Sequence, residues 1–97
     1  MPQAIIKRDG RTTEFHVEKI ASAIEKAFQA CAAMQDRSTA DMIAAKVAKK
    51  LDEGAIEGTP TVEGVQDLVE ETLIESGFVQ TAKAYILYRA ERNRVRD

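Results

Sequence analysis

The fold begins with residues 5–15, which read IIKRDGRTTEF. The two isoleucines favour a strand, Asp9-Gly10 is a strong signal for a two-residue turn, and the residues from Arg11 onward can return as a second strand. A two-stranded hairpin is only marginally stable in water by itself, so this one needs a surface to pack on. The sequence therefore predicts a β-hairpin over about residues 3–15 that lies against the helices that follow.

Four segments after the hairpin have the apolar periodicity of α-helices. In the first, apolar residues recur every three or four positions from Val17 to Cys31, the spacing of one helix face. Ser38 or Thr39 can cap the second helix, Thr61 is the natural N-cap of the third, and Gly77 is placed to end it. The pattern predicts helices over about residues 17–33, 38–53, 62–76 and 78–96.

Together these elements predict an α+β, mostly helical fold in a single domain of residues 1–97. The expected architecture is an antiparallel four-helix bundle capped by the N-terminal β-hairpin. Residues 55–57, between Gly54 and Gly58, could add a strand and turn the hairpin into a three-stranded mini-sheet.

Composition narrows the class of protein. The chain has 97 residues and a net charge of -2 at pH 7, which argues against a dedicated nucleic-acid binder. No apolar run approaches the roughly 20 residues that cross a bilayer, and the first residues do not resemble a secretory signal. One cysteine allows no internal disulfide, and one cysteine with one histidine makes a structural zinc site very improbable. We expect a cytoplasmic protein without membrane or nucleic-acid partners.

No catalytic group of side chains is apparent. Cys31 lies about four helical turns beyond His16, so roughly 20 Å of helix rise separates them and excludes a Cys–His pair. Cys31 fits a small buried core residue, whereas His16 fits a helix cap or a residue flanking a ligand. The domain is therefore not expected to be an enzyme.

An anion site is nevertheless conceivable at the hairpin. The chain has neither a P-loop nor a GxGxxG motif, so phosphates would have to be held by other groups. Lys7 and Arg8 lie beside the turn, and Lys19 lies in the first turn of the first helix. Cations folded over a helix N-terminus can bind phosphate, although two basic residues beside a turn are more often simply solvated.

Basic residues also dominate the end of the chain, from Lys83 onward. They can complement the macrodipole of the last helix, or part of the cluster can face an anionic ligand or a partner domain.

Three blocks of the sequence resemble the ATP-cone family. The first is residues 5–10 (IIKRDG), followed by Phe15 and by Glu18-Lys19-Ile20. The second is residues 60–70 (PTVEGVQDLVE), and the third is residues 82–89 (AKAYILYR). The resemblance covers essentially the whole chain, with the blocks in order.

ATP-cones are regulatory domains, found mostly at the N-terminus of ribonucleotide reductases, that respond to ATP and dATP. The resemblance implies an allosteric domain that binds ATP or dATP, with Mg²⁺ as a possible companion. It also implies a partner in the catalytic domain or another subunit of a reductase, and oligomerisation that depends on the nucleotide. The last block most resembles the anaerobic, glycyl-radical reductases. The chain can be a piece of a longer protein.

The resemblance also implies a set of contacts for one or two nucleotides. Ile5 would pack near the base, Lys7 and Arg8 would contact phosphates or the base, and Lys19 would contact phosphates. Thr61, Val65 and Gln66 would lie near the base or sugar. Gln66 occupies a position that is His or Asp in some members, and Tyr88 could stack on a second base. The full set of implied nucleotide-binding residues is Ile5, Lys7, Arg8, Glu14, His16, Lys19, Ile20, Thr61, Val65, Gln66, Tyr88, Arg89 and Arg92.

Two other functions stay open from the sequence. A zinc-ribbon family of nucleotide-responsive transcriptional repressors carries the same cone, but it needs paired cysteines before the cone, and here only Met1-Pro2-Gln3-Ala4 precede it. The third possibility is a helical interaction domain that binds no ligand.

Overall fold

The computed structural model describes residues 4–96, apart from the side chains of residues 93, 95 and 96. Two short strands and four helices form within this range: β1 (Ala4–Ile6), β2 (Thr12–Glu14), α1 (Val17–Ala30), α2 (Arg37–Asp52), α3 (Val62–Glu75) and α4 (Val79–Arg96). The predicted α+β, mostly helical fold with an N-terminal hairpin is confirmed. The predicted first residue of the hairpin, Gln3, lies outside the described residues.

The turn of the hairpin contains three residues and not the predicted two. Lys7 and Arg11 close the loop, since the Lys7 N–H donates to the Arg11 carbonyl over 2.7 Å, and the Gly10 N–H donates back to the Lys7 carbonyl over 2.9 Å. Gly10 has φ 89°, the left-handed conformation that follows a type I turn in three-residue hairpin loops. The Asp9 carboxylate accepts hydrogen bonds from the Arg11 side chain and backbone, and these hold the pKa of Asp9 below its usual value.

The prediction of a possible third strand at residues 55–57 is wrong. Residues 55 and 56 form a bend and residue 57 is irregular, because Gly54 and Gly58 on either side take positive φ values of 86° and 66° and interrupt extended backbone. The hairpin is instead extended by the residues just before α3. Thr61 forms an isolated parallel bridge with Ile6, and the Ile6 N–H donates to the Pro60 carbonyl over 2.9 Å.

The end of α1 and the start of α2 differ from the predicted residues. α1 ends at Ala30, before the predicted residue 33, because Ala32 takes φ 57° and the N–H of Ala33 returns to the carbonyl of Phe28. α2 begins at Arg37, and its N-cap is Asp36, not the predicted Ser38 or Thr39.

The third helix begins as predicted. The Thr61 hydroxyl caps α3 by accepting a 2.9 Å hydrogen bond from the N–H of Gly64. Gly77 follows the helix with φ 90°, as a glycine beyond a helix end should. α4 then begins at Val79, one residue after the predicted start.

The four helices enclose one core. α1 and α3 each pack against both α2 and α4. The Phe28 and Phe78 rings meet edge to face, with centroids 5.4 Å apart. Cys31 is half-buried at the end of α1 and not in the core as expected, with its thiol 3.4 Å from the Thr81 hydroxyl. The largest fully buried side chains are Phe28, Ile24, Ile43, Leu73, Val47, Val69 and Thr72.

Among the described helices, none combines the length and the apolar character that a membrane span requires.

Candidate functional site

A cleft of about 1010 Å³ opens between the hairpin, α1, the start of α3 and α4. It gathers side chains from both ends of the chain and from its middle. Its lining residues are Ile5, Lys7, Arg8, Asp9, Thr13, Glu14, Phe15, His16, Lys19, Ile20, Ser22, Ala23, Lys26, Val62, Val65, Gln66, Tyr85, Tyr88 and Arg92.

One side of the cleft is cationic. Lys7 and Arg8 reach it from the hairpin, and Lys19 reaches it from the first turn of α1. The N-terminus of α1 also lies here, and the side chain of its N-cap residue His16 accepts no hydrogen bond from the backbone N–H groups of the first turn. The α1 N-terminus therefore adds its partial positive charge to that of three cations.

His16 sits between two carboxylates on this side. Its Nε2 atom lies 3.3 Å from the Glu14 carboxylate, and its Nδ1 atom lies 3.2 Å from the Glu18 carboxylate. Both contacts are hydrogen bonds only when both ring nitrogens carry a proton. The ring thus links the end of β2 to the first turn of α1.

The hairpin is fixed to the start of α3. Besides the backbone hydrogen bond from Ile6 to Pro60, the Nε atom of Arg8 lies 3.4 Å from a Glu63 carboxylate oxygen. Gly64 allows the first turn of α3 to approach its own cap and the loop before it, because a Cβ atom there would lie 3.1 Å from the Thr61 hydroxyl and 3.3 Å from the Ile56 side chain.

Part of the cleft wall is apolar. Ile5, Ile20, Val62 and Val65 line it, and Val65 is 4% exposed. Gln66 adds one polar group, whose Oε1 atom is inaccessible to water and accepts no hydrogen bond from any described residue. A buried acceptor without a donor carries a free-energy cost of about 1–3 kcal/mol, so this amide is the one clear polar imbalance of the wall.

Two tyrosines of α4 complete the cleft. The Tyr85 and Tyr88 rings lie 6.3 Å apart, and burial raises the pKa of the Tyr85 hydroxyl well above its usual value. Tyr88 faces two cations, with Lys26 Nζ 5.8 Å and Arg92 Cζ 6.0 Å from its ring centroid.

The structure brings most of the predicted site residues together. Eleven of them line the cleft, and the two that do not are Thr61 and Arg89. Thr61 lies beside it and caps α3, which carries Val65 and Gln66. The predicted residues that line the cleft are Ile5, Lys7, Arg8, Glu14, His16, Lys19, Ile20, Val65, Gln66, Tyr88 and Arg92.

Arg89 is engaged elsewhere. Its guanidinium lies 2.7 Å from the carboxylates of both Asp67 and Glu70, and its side chain is 15% exposed. Burial disfavours the charged form, but the hydrogen bonds to the two acids outweigh it and raise the pKa of Arg89. Arg89 therefore joins α4 to α3, and the nucleotide contact predicted for it has no support in this geometry.

Sequence reasoning missed Lys26 and Tyr85. A signal for Lys26 was present, because Lys19, Ser22 or Ala23, and Lys26 follow one another at three- and four-residue spacing and share a helix face. Tyr85 is both buried and part of the cleft wall.

Within the part of the chain that the structure describes, no three His, Cys, Asp or Glu side chains are arranged to hold a metal ion.

Comparison with known proteins gives one consistent result. The family model for the ATP cone domain matches residues 3–94. The chain is 35% identical to the ribonucleoside-diphosphate reductase subunit alpha of Chlamydia muridarum, over 97% of this chain and 10% of that protein. It is 36% identical to the vitamin B12-dependent ribonucleoside-diphosphate reductase of Thermoplasma acidophilum, over 100% of this chain and 13% of that protein.

A third relative is the anaerobic ribonucleoside-triphosphate reductase of Haemophilus influenzae, 32% identical over 96% of this chain and 13% of that protein. The chain thus spans only 10–13% of the length of these relatives. Since the family model covers nearly the whole sequence, the chain belongs to the ATP-cone family.

Proposed function

We propose that this domain binds an adenine nucleotide, ATP or dATP, in the cleft and regulates a ribonucleotide reductase. The observation that carries the proposal is that Lys7, Arg8 and Lys19 line one cleft together with apolar side chains of the hairpin, α1 and α3. A nucleotide has this same division between a charged tail and a flat, weakly polar base.

The cationic side suits a polyphosphate. Lysine and arginine side chains bind phosphate oxygens, and the first turn of a helix presents backbone N–H groups to an anion. The side chains of Asp36 and Thr61 accept hydrogen bonds from the first turns of α2 and α3, whereas the His16 side chain accepts none from α1. The α1 N-terminus, beside Lys19, is thus available to a bound phosphate.

The apolar wall suits a nucleoside. Ile5, Ile20 and Val65 offer flat contact surface for a base, and a largely apolar lining with a few polar groups is typical of small-molecule sites. The exocyclic amine of adenine and the hydroxyl groups of the sugar are donors, and the unpaired acceptor of Gln66 would have to turn toward the cleft to pair with one of them. The cleft volume of about 1010 Å³ lies at the upper end of the range for ligand pockets, roughly 300–1,000 Å³.

The link to a reductase rests on the relatives, which are reductase chains by name. In this proposal the domain is the regulatory part of a longer cytoplasmic reductase and does no chemistry itself. The bound nucleotide, with or without Mg²⁺, changes how the domain contacts the catalytic part or another subunit, including through oligomerisation.

Titration calorimetry of the chain with ATP, dATP and GTP tests the binding step. We expect ATP or dATP to bind, and Lys7→Ala to weaken that binding. Lys49→Ala is the matched control, because Lys49 is an exposed lysine in the last turn of α2, outside the cleft. If none of the three nucleotides binds, or if the two variants weaken binding equally, the proposed site is wrong.

A further inference from the structure

We infer that Glu63 is a built-in competitor of the nucleotide's phosphates for Arg8. In the free chain its carboxylate engages the guanidinium, and a bound nucleotide has to displace it. Glu63 would then set the affinity of the site although it lies outside the cleft. The inference rests on the function proposed above and concerns the regulation of that same site.

Arg8 can pair with either of two anions, the Glu63 carboxylate or a phosphate bound in the cleft. Arg8 Nε lies 3.4 Å from the Glu63 carboxylate, while the Arg8 side chain also lines the cleft. The two side chains are 39% and 55% exposed, so the ion pair is partly solvated and can be broken by a stronger anion.

The backbone around the pair keeps it in place. The Ile6 N–H of β1 donates to the Pro60 carbonyl, and Thr61, two residues before Glu63, caps α3. Arg8 and Glu63 thus belong to two elements that are fastened to each other within a few residues of the pair. The fold therefore constrains the distance between them more than it would for two side chains on unconnected parts of the surface.

Carboxylate and phosphate compete for the same face of a guanidinium. Arginine binds both through parallel N–H donors, and a triphosphate carries several charges where the carboxylate has one. A ligand that takes Arg8 must first break the Arg8–Glu63 pair, and this lowers its apparent affinity. A ligand that lacks phosphates does not reach Arg8 and is unaffected.

Two simpler roles for Glu63 make different predictions. An acid in the first turn stabilises α3 through the helix macrodipole, and its removal would then change stability and not affinity. A negative charge near the cleft would repel phosphate through space, and its removal would then help binding whether or not Arg8 is present.

The test measures the Kd of ATP and of adenosine for the wild-type chain, Glu63→Gln, Arg8→Ala and the double variant, with melting temperatures alongside. Glu57→Gln is the control, because Glu57 is an exposed acid in the loop before α3 and its substitution changes the net charge equally. We expect Glu63→Gln to lower the Kd of ATP about two- to fivefold, the factor expected when a surface ion pair need not be broken. The Kd of adenosine should not change, and neither should that of ATP in the control.

In the Arg8→Ala background, the added Glu63→Gln substitution should have no further effect on ATP. Unchanged ATP binding in Glu63→Gln overturns the inference alone, as does an equal gain with and without Arg8. Failure of the wild-type chain to bind ATP or dATP would overturn the proposed function itself and this inference with it.

A second measurement does not depend on affinity. In the free chain, the NMR signal of the Arg8 side-chain Nε–H should shift in Glu63→Gln and stay in place in Glu57→Gln. An unshifted signal in both variants would show that the pair is not formed in solution.

Discussion

The Nζ atom of Lys26 lies 5.8 Å from the centre of the Tyr88 ring, so the third turn of α1 is joined to α4 at the cleft. Arg92 approaches the same ring, with its Cζ atom 6.0 Å from the centre. Aromatic rings attract cations, and Tyr88 therefore keeps two of them beside the cleft. The positive charge of the cleft extends along α1 from Lys19 to Lys26.

We predict that Lys26→Ala weakens ATP binding, because Lys26 adds to the positive potential along the cleft. The expected loss is about two- to tenfold, the range of a typical hydrogen bond in water. It should shrink at high salt, where exposed charges are screened. Calorimetry at two salt concentrations measures this, with Lys83→Ala as the control, since Lys83 is exposed on α4 outside the cleft. Equal losses in the two variants would contradict a local role for Lys26.

The unpaired Oε1 of Gln66 leads to a second prediction. Gln66→Leu removes a buried acceptor without a donor, so it should stabilise the free chain by about 1 kcal/mol. The same change should weaken adenine-nucleotide binding, because the wall loses its polar group. Urea unfolding and calorimetry measure the two effects, with the exposed Gln80→Leu as the control. A less stable Gln66→Leu chain that binds ATP normally would assign the amide a structural role.

Thr61 gives a third prediction, because its hydroxyl caps α3 and its backbone bridges to Ile6. Thr61→Ala should cost about 1 kcal/mol of unfolding free energy through loss of the cap. It should also weaken ATP binding, since α3 carries Val65 and Gln66 into the cleft. Thr61→Ser keeps a hydroxyl at the cap and should restore most of both properties. If Thr61→Ser binds ATP as poorly as Thr61→Ala, the methyl group and not the cap matters.

A fourth prediction concerns pH and the cap of α2. Hydrogen bonds from Ser38 and from the Thr39 backbone hold the pKa of Asp36 below its usual value of 3.8. A carboxyl with a lowered folded-state pKa stabilises the protein above its unfolded pKa, and that stabilisation disappears as the pH falls through the folded value. Asp36→Asn retains an acceptor but does not titrate.

Melting temperatures of the wild type and Asp36→Asn should therefore differ most near neutral pH. They should converge as the pH falls below the ordinary pKa of an aspartate side chain. A difference that stays constant between pH 7 and pH 2 would show that the charge of Asp36 is irrelevant to the cap.

Much of the fold followed from local patterns in the sequence. The apolar stripe of α1, the cap at Thr61 and the stop at Gly77 each depend on a few neighbouring residues, and the structure confirms them. The cap of α2 was misassigned because Asp36, Ser38 and Thr39 are all good capping residues, and only the backbone geometry selects among them.

The features of the fold and the site that could not be predicted depend on contacts between residues far apart in the sequence. The bridge from Ile6 to Thr61 replaced a local strand at residues 55–57. Arg89 is a residue type that often binds phosphate, but in the structure it pairs with Asp67 and Glu70, which are on another helix. Lys26 lies beside Tyr88, which is on another helix about 60 residues away along the chain, so the sequence around Lys26 does not indicate this contact.

The hydrogen bond between Ile6 and Pro60 also has a consequence for folding order. It joins residues separated by more than half of the chain, so forming it requires the closure of a long loop. A hairpin without a partner is only marginally stable, so the hairpin depends on this distant segment. The cleft is therefore assembled late, and a ribosome-bound chain that has emerged only as far as α2 has Lys7, Arg8 and Lys19 but no site.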